Sequence, residues 1–276
     1  MALKLMYITN RPEVARIAED AGVDRIFVDM EYIGKAQRQG GMDTVQSHHT
    51  VADVQAIRET ITHAELMVRV NPIHDAAAEF GSSEEEIDAV IAAGADIIML
   101  PYFTTTAEVR RFIRAVDGRA RTLPLLESAE AASTVDEILD VPGIDEIFVG
   151  LNDLSLDLGK KFMFELLADG TVEGLCNKFK HKGIPYGFGG IAAPGKGMLP
   201  SEYIIREHYR LGSTCVILSR SFCNTELVTD PDEIRTVFTN GVRAIREIEA
   251  ECEPYSSFFR KNEREVAERV RRICEG

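Results

Sequence analysis

Two acids and one arginine carry the chemistry legible in this chain. Asp153 lies in Phe148-Val149-Gly150-Leu151-Asn152-Asp153-Leu154-Ser155, where the chain turns at Gly150 out of a buried run, Glu146-Ile147-Phe148-Val149. Glu127 closes an earlier apolar run, Leu123-Pro124-Leu125-Leu126. Carboxylates at the ends of two buried strands converge when the strands share one sheet or barrel. Two hard oxygen ligands completed by water are what Mg²⁺ or Mn²⁺ takes from a protein. Asp153 by itself reads better as the cap of the next helix; Arg69 shifts the balance. It stands between apolar neighbours in Met67-Val68-Arg69-Val70-Asn71. Arginine is rarely buried without a partner, so it must face an acid or an anionic ligand. Its planar fork suits a substrate carboxylate. A structural ion pair with Asp29, Glu31 or Glu127 is the plainer alternative.

Something must bring these residues together. A helix end, a glycine and a short β-rich run recur as Ala21-Gly22 before Arg25–Asp29, Ala93-Gly94 before Ile97–Leu100, Pro142-Gly143 before Glu146–Val149, and Leu211-Gly212 before Thr214–Leu218. The glycine suits the left-handed residue that ends a helix. The following run is apolar on both faces, as a parallel strand between helices must be. Leu3–Ile8, Glu65–Val70, Thr122–Leu126 and Pro185–Phe188 complete eight strands, with amphipathic helical patterns between them. Eight alternating units predict an α/β fold, a closed (β/α)₈ (TIM) barrel, with its active site at the carboxyl ends of the strands. The barrel is expected to occupy residues 1–230. An additional C-terminal helical segment, 231–276, is expected to pack on a neighbouring subunit, with a position over its own barrel as the alternative. The polar stretch Glu31–Thr50, with His48 and His49, and the glycine-rich stretch Gly189–Ser201 read as mobile loops over the barrel mouth.

Composition narrows the function. With 276 residues and 45% hydrophobic residues the chain can bury one large core. A formal net charge of -14 argues against nucleic acid or an anionic membrane as partner. The five cysteines form no C-x-x-C pair, which reads as reduced thiols in a cytoplasmic protein. The N-terminus has no signal-peptide layout, and no apolar run approaches a membrane span. No lysine occupies a strand interior after Lys4, which disfavours a Schiff-base aldolase and leaves metal stabilisation of an enolate. The run Gly187–Gly190 reads as small residues making room at the barrel rim, with a phosphate contact as the weaker alternative.

Asp29-Met30-Glu31, Val68-Arg69-Val70, Met99-Leu100-Pro101, Leu126-Glu127-Ser128 and Phe148–Ser155, in this order, resemble the HpcH/HpaI aldolase and citrate lyase family. The resemblance implies a barrel of the phosphoenolpyruvate-binding type and a homo-oligomer, trimer or hexamer, in which a C-terminal helix packs on the neighbouring barrel. It implies Glu127 and Asp153 as ligands of Mg²⁺ or Mn²⁺, and Arg69 on the substrate carboxylate and enolate oxygen. Backbone amides near Gly150, Leu151 and Asn152 would hold the other end of a pyruvate-like unit.

The family's pyruvate aldolases read Asp-x-Glu-His after strand two, with an acid before strand four. Here those positions hold Tyr32 and the neighbourhood of Ala92. Proton transfer then falls to metal-activated water, to His48 or His49, or to Tyr32, in that order of fitness. The function expected is a metal-dependent (class II) carbon-carbon lyase, aldolase-like, acting on a small-molecule 2-keto acid. An acyl-CoA lyase of the citryl or malyl type is one alternative, although it needs a basic path for the nucleotide. A degenerate barrel that binds a keto acid without turnover is the other.

Overall fold

The structure, a computed structural model, describes residues 2–34, 49–252 and 256–276. Eight strands run in parallel: β1 Lys4–Ile8, β2 Arg25–Asp29, β3 Glu65–Arg69, β4 Ile97–Leu100, β5 Arg121–Leu126, β6 Ile147–Val149, β7 Tyr186–Ile191 and β8 Cys215–Leu218. They pair in sequence order, and β8 returns to β1 with Cys215 beside Lys4, so the barrel is closed and has no edge. The sequence placed these strands to within a few residues. The largest difference is in β7, which runs on to Ile191 through a register irregularity between Gly187 and Gly190.

Local chemistry sets the helices. Thr50, Ser82 and Thr105 each begin a helix with a reciprocal capping box, to Asp53, Glu85 and Glu108. Each box satisfies amides that the first turn leaves without partners. These caps fix where the chain turns back after each strand, and hence which residues lie at the mouth.

The barrel interior is layered. Met6, Phe27, Met67, Ile97, Met99, Leu123, Leu125, Phe148 and Cys215 fill the middle. Both ends are ionic. At the amino end Arg25 is fully buried, its Nη1 and Nη2 donating to both oxygens of Glu146 at 2.8 and 2.7 Å, and its Nε to Glu65 at 2.9 Å. Arg121 joins the same two acids. The sequence reading missed this plug, because Arg25 begins a strand and its partners stand 40 and 121 residues away.

Helix Pro231–Glu251 packs on helices Pro12–Asp20 and Ser201–Leu211. Helix Ser256–Glu275 lies against Ser201–Leu211 and Glu165–Ala168 of the same chain. There Asn262 Nδ2 donates to Glu207 Oε1 at 2.7 Å, and Arg269 Nη2 donates to the Tyr203 hydroxyl at 2.8 Å. Among the described residues no helix is long and apolar enough to cross a membrane.

The amino-end plug yields a stability prediction. Glu146→Gln leaves the buried Arg25 guanidinium short of charge and should cost about 3–5 kcal/mol in urea unfolding. Arg25→Met combined with Glu146→Leu should recover most of that loss. A single variant as stable as wild type would show that the plug carries no net stabilisation.

Candidate active site

Arg69 ends β3, directly across the ladder from Asp29 at the end of β2. That register makes the two side chains neighbours on one face. Arg69 Nε and Nη2 donate to Oδ1 and Oδ2 of Asp29, both at 2.7 Å, and Glu31 Oε2 lies 3.4 Å from Nε. The Phe27 ring lies 5.5 Å from the guanidinium carbon, within cation–π reach. Burial works against the charged form, but Asp29, Glu31 and Glu127 outweigh it and hold the Arg69 pKa above its ordinary value. The plain alternative from the sequence, an ion pair with Asp29, is therefore present. Asp29 occupies the Nε–Nη2 edge and leaves the Nη1 edge for another group.

Glu127 follows β5 and is 3% exposed. Its Oε1 accepts the Tyr102 amide at 3.0 Å. Tyr102, just past β4, has φ of 42°, a left-handed conformation unusual for a bulky residue. Backbone strain at this position accompanies the aiming of that amide at the carboxyl. On the other side, a Cβ built on Gly150 would lie 2.7 Å from Glu127 Oε2 and 2.9 Å from Glu127 Cβ, so only glycine allows β6 to end this close. Burial pushes the Glu127 carboxyl up to about 8; Arg69 pulls against that, while Glu31 and Asp153 add to it.

Asp153 sits in the first turn of helix Leu151–Asp157, where a carboxylate suits the helix dipole. Arg69, Glu127 and Asp153 line one cavity of about 260 Å³ at the carboxyl ends of the strands, together with Gly150, Leu151 and Asn152. The three residues singled out for chemistry thus share one space. Among the described residues, no three His, Cys, Asp or Glu side chains form a ready metal cluster. A metal here would take two protein carboxylates and complete its shell from water or ligand. The Gly150 amide donates to the Leu126 carbonyl at 2.9 Å, so Gly150 serves the site by lacking a side chain. Leu154 makes the first intrahelical bond, to Gly150 O, which leaves the Leu151 and Asn152 amides ahead of it at the helix start.

The other candidate residues fare differently. Tyr32 is 50% exposed, with its ring edge-on to Phe80 at 6.5 Å. Partial burial, Glu86 and Glu79 raise its phenol pKa further, the wrong direction for a base. His49 Nδ1 accepts the Asp29 amide at 3.0 Å, which places the neutral ring's proton on Nε2 and leaves no lone pair for a substrate proton. His48 lies outside the described residues.

Two contributors escaped the sequence reading. Asn71 Oδ1 accepts the Tyr32 and Ile33 amides at 2.9 Å while its Nδ2 donates to Glu86, which ties the β2 exit to β3. Its position at a strand end was the only signal. Tyr102 gave none, because its role belongs to the backbone. In the glycine run, a Cβ at Gly187 would strike Cys215 O at 2.4 Å, and one at Gly189 would strike Leu151 Cδ1 at 2.8 Å. Packing explains both.

Comparison with known proteins finds likeness in sequence and in fold. The profile of the HpcH/HpaI aldolase/citrate lyase family matches residues 4–165. A 4-hydroxy-4-methyl-2-oxoglutarate aldolase of Hapsidospora irregularis is 26% identical over 196 residues, 59% of this chain and 65% of that protein. A (3S)-malyl-CoA thioesterase of Cereibacter sphaeroides is 28% identical over 181 residues, 62% of this chain and 56% of that protein. The chain spans less than two thirds of either curated relative. The crystal structure of an HpcH/HpaI aldolase/citrate lyase family protein from Burkholderia cenocepacia J2315 matches with a TM-score of 0.62 at 18% identity, covering 84% of this chain and 94% of that one. At that identity the likeness is one of fold.

The Arg69–Asp29 fork predicts two graded losses. Arg69→Lys keeps the charge but not the paired geometry and should lower the unfolding free energy by about 1–3 kcal/mol. Arg69→Met strands the buried Asp29 carboxylate and should cost about 3–5 kcal/mol. Urea unfolding followed by circular dichroism measures both, and equal stability of Arg69→Lys and wild type would show that the fork is not needed.

Proposed function

Because the chain belongs to the HpcH/HpaI aldolase/citrate lyase family, we propose that it is a divalent-metal-dependent carbon-carbon lyase, aldolase-like, acting on a 2-keto acid. The observation that carries this reading is the single cavity lined by Arg69, Glu127 and Asp153.

The residues present fit a hard divalent cation. Glu127 is buried, receives one amide at Oε1, and turns Oε2 toward a glycine that cannot crowd it. Burial drives that carboxyl toward its neutral form, and a cation in the cavity would restore the charged form. Asp153 lines the same space. Glu127 and Asp153 would hold Mg²⁺ or Mn²⁺. When bound, the ion supplies positive charge beside the keto oxygen, where enolate charge develops.

The chain's own residues would do the rest. Arg69, through its Nη1 edge, receives the substrate carboxylate, already oriented by Asp29. The Leu151 and Asn152 amides, at the helix start and on the cavity wall, would meet the remaining oxygen. In cleavage of a 4-hydroxy-2-keto acid the C3–C4 bond breaks and its electron pair passes to the enolate of the keto acid. The C4 hydroxyl proton leaves as the aldehyde carbonyl forms, and one proton returns to C3. Tyr32 and His49 are poorly disposed to take the hydroxyl proton, so we assign that transfer to water within the cavity. The acyl-CoA alternative draws support from the thioesterase relative. Among the described residues, however, no lysine and no second arginine lines the cavity to meet a nucleotide. The free cysteines support a reducing, cytoplasmic setting. A homo-oligomer, trimer or hexamer, in which helices 231–276 also meet a neighbouring copy, rests on the family resemblance.

Two reactions separate the readings. Oxaloacetate decarboxylation needs enolate stabilisation but no hydroxyl deprotonation; cleavage of 4-hydroxy-2-oxopentanoate needs both. With Mn²⁺ the protein should catalyse both, and Glu127→Gln or Asp153→Asn should reduce each by on the order of 100-fold or more. Decarboxylation without cleavage would contradict the aldolase assignment. Inactivity in both, with pyruvate still bound, would favour the degenerate keto-acid-binding barrel. Turnover confined to malyl-CoA would favour the thioester reading.

A further inference from the structure

The cavity's remaining lining residues have a chemistry of their own. Its walls are Leu125 from β5, Phe148 from β6, Ile217 from β8, Leu151 at the helix start, and the half-buried Met163. Ser219 and Gly190 also line it. Leu125 and Phe148 belong to the apolar layer that fills the barrel, so the cavity floor is continuous with the core. Arg69 is the one cation among the described lining residues, and Asp29 occupies its Nε–Nη2 edge. One guanidinium edge remains, enough for one carboxylate. Glu127 and Asp153 line the same space and are the residues assigned above to the metal. A second substrate carboxylate would find no second described cation and would be desolvated against aliphatic and aromatic walls. An uncharged tail would bury apolar surface there instead. A cavity of about 260 Å³ also sets the scale at a small molecule.

Resting on the keto-acid reading above, we propose that this site selects monocarboxylate substrates: a 2-keto acid whose far end, and hence whose aldehyde product, is small, uncharged and apolar. Met163 is the specificity-determining wall for that far end. It is unbranched and adaptable, so tails of different shape can pack against it. Gly190 is a second lever. A Cβ there would meet Ile217 O at 3.5 Å and Ser219 Cβ at 3.6 Å, ordinary contacts, so alanine fits while narrowing the cavity.

The test compares two unreactive keto acids of equal chain length on the Mn²⁺-loaded protein by isothermal titration calorimetry. 2-Oxopentanoate ends in a methyl group and 2-oxoglutarate in a carboxylate. Wild type should bind 2-oxopentanoate tighter by about tenfold or more, a discrimination that desolvating a carboxylate with no counter-cation readily supplies. Met163→Arg adds a cation to the wall and should move the ratio toward 2-oxoglutarate by a similar factor. In the condensation direction, pyruvate with propionaldehyde should outrun pyruvate with succinic semialdehyde in kcat/KM. Tighter or equal binding of 2-oxoglutarate to wild type overturns the proposal while leaving the keto-acid site standing. Binding of neither compound removes the keto-acid reading and the proposal with it. A folded Met163→Arg protein with the wild-type ratio overturns the role of Met163, and the wild-type comparison decides the charge selectivity if that variant does not fold.

Discussion

The mouth of this barrel depends on one buried carboxyl. Glu127 is almost wholly removed from water, and its side chain receives a single amide bond, from Tyr102. A carboxylate so placed is costly unless positive charge stands beside it. Neighbouring elements are shaped around that cost. Tyr102 takes up a left-handed backbone where its amide meets Oε1, β6 ends in a glycine where Oε2 needs room, and Arg69 is held above its ordinary basicity by the acids around it. The carboxyl so placed lines a cavity that Asp153 and Arg69 also line.

Stability and chemistry divide along the barrel axis. The amino end closes on an ionic plug in which Arg25, Arg121, Glu65 and Glu146 satisfy one another. The middle is apolar. The carboxyl end keeps an arginine pair of the same kind, Arg69–Asp29, beside a cavity that Arg69, Glu127 and Asp153 line. The two ends thus use the same residue types in a sealed plug and in an open cavity. Activity at the cost of local strain is the usual exchange at such sites.

The sequence was most legible where periodicity and strand-end position carry the information. Apolar runs, four of them after a helix-ending glycine, placed all eight strands, and reading the residues at and just beyond the strand ends singled out Arg69, Glu127 and Asp153, which line one cavity. It was least legible where contacts cross many residues or belong to the backbone. Nothing local distinguishes Arg25 from an ordinary first strand residue, because its partners Glu65 and Glu146 lie on other strands. The amide of Tyr102 has no side-chain signature. His49 was a reasonable base by type, yet its Nδ1 is engaged by the Asp29 amide. Tyr32 fills the family's histidine position, but its ring turns to Phe80. Type and position suggest candidates; hydrogen-bond direction ranks them.

Mn²⁺ titration, followed by the electron paramagnetic resonance signal of the free ion, tests the proposed divalent-cation site at Glu127 and Asp153 without requiring turnover. Wild type should take up one Mn²⁺ per chain, and both Glu127→Gln and Asp153→Asn should weaken affinity by on the order of 100-fold while circular dichroism stays unchanged. No uptake by wild type, or wild-type affinity in either variant, would contradict it.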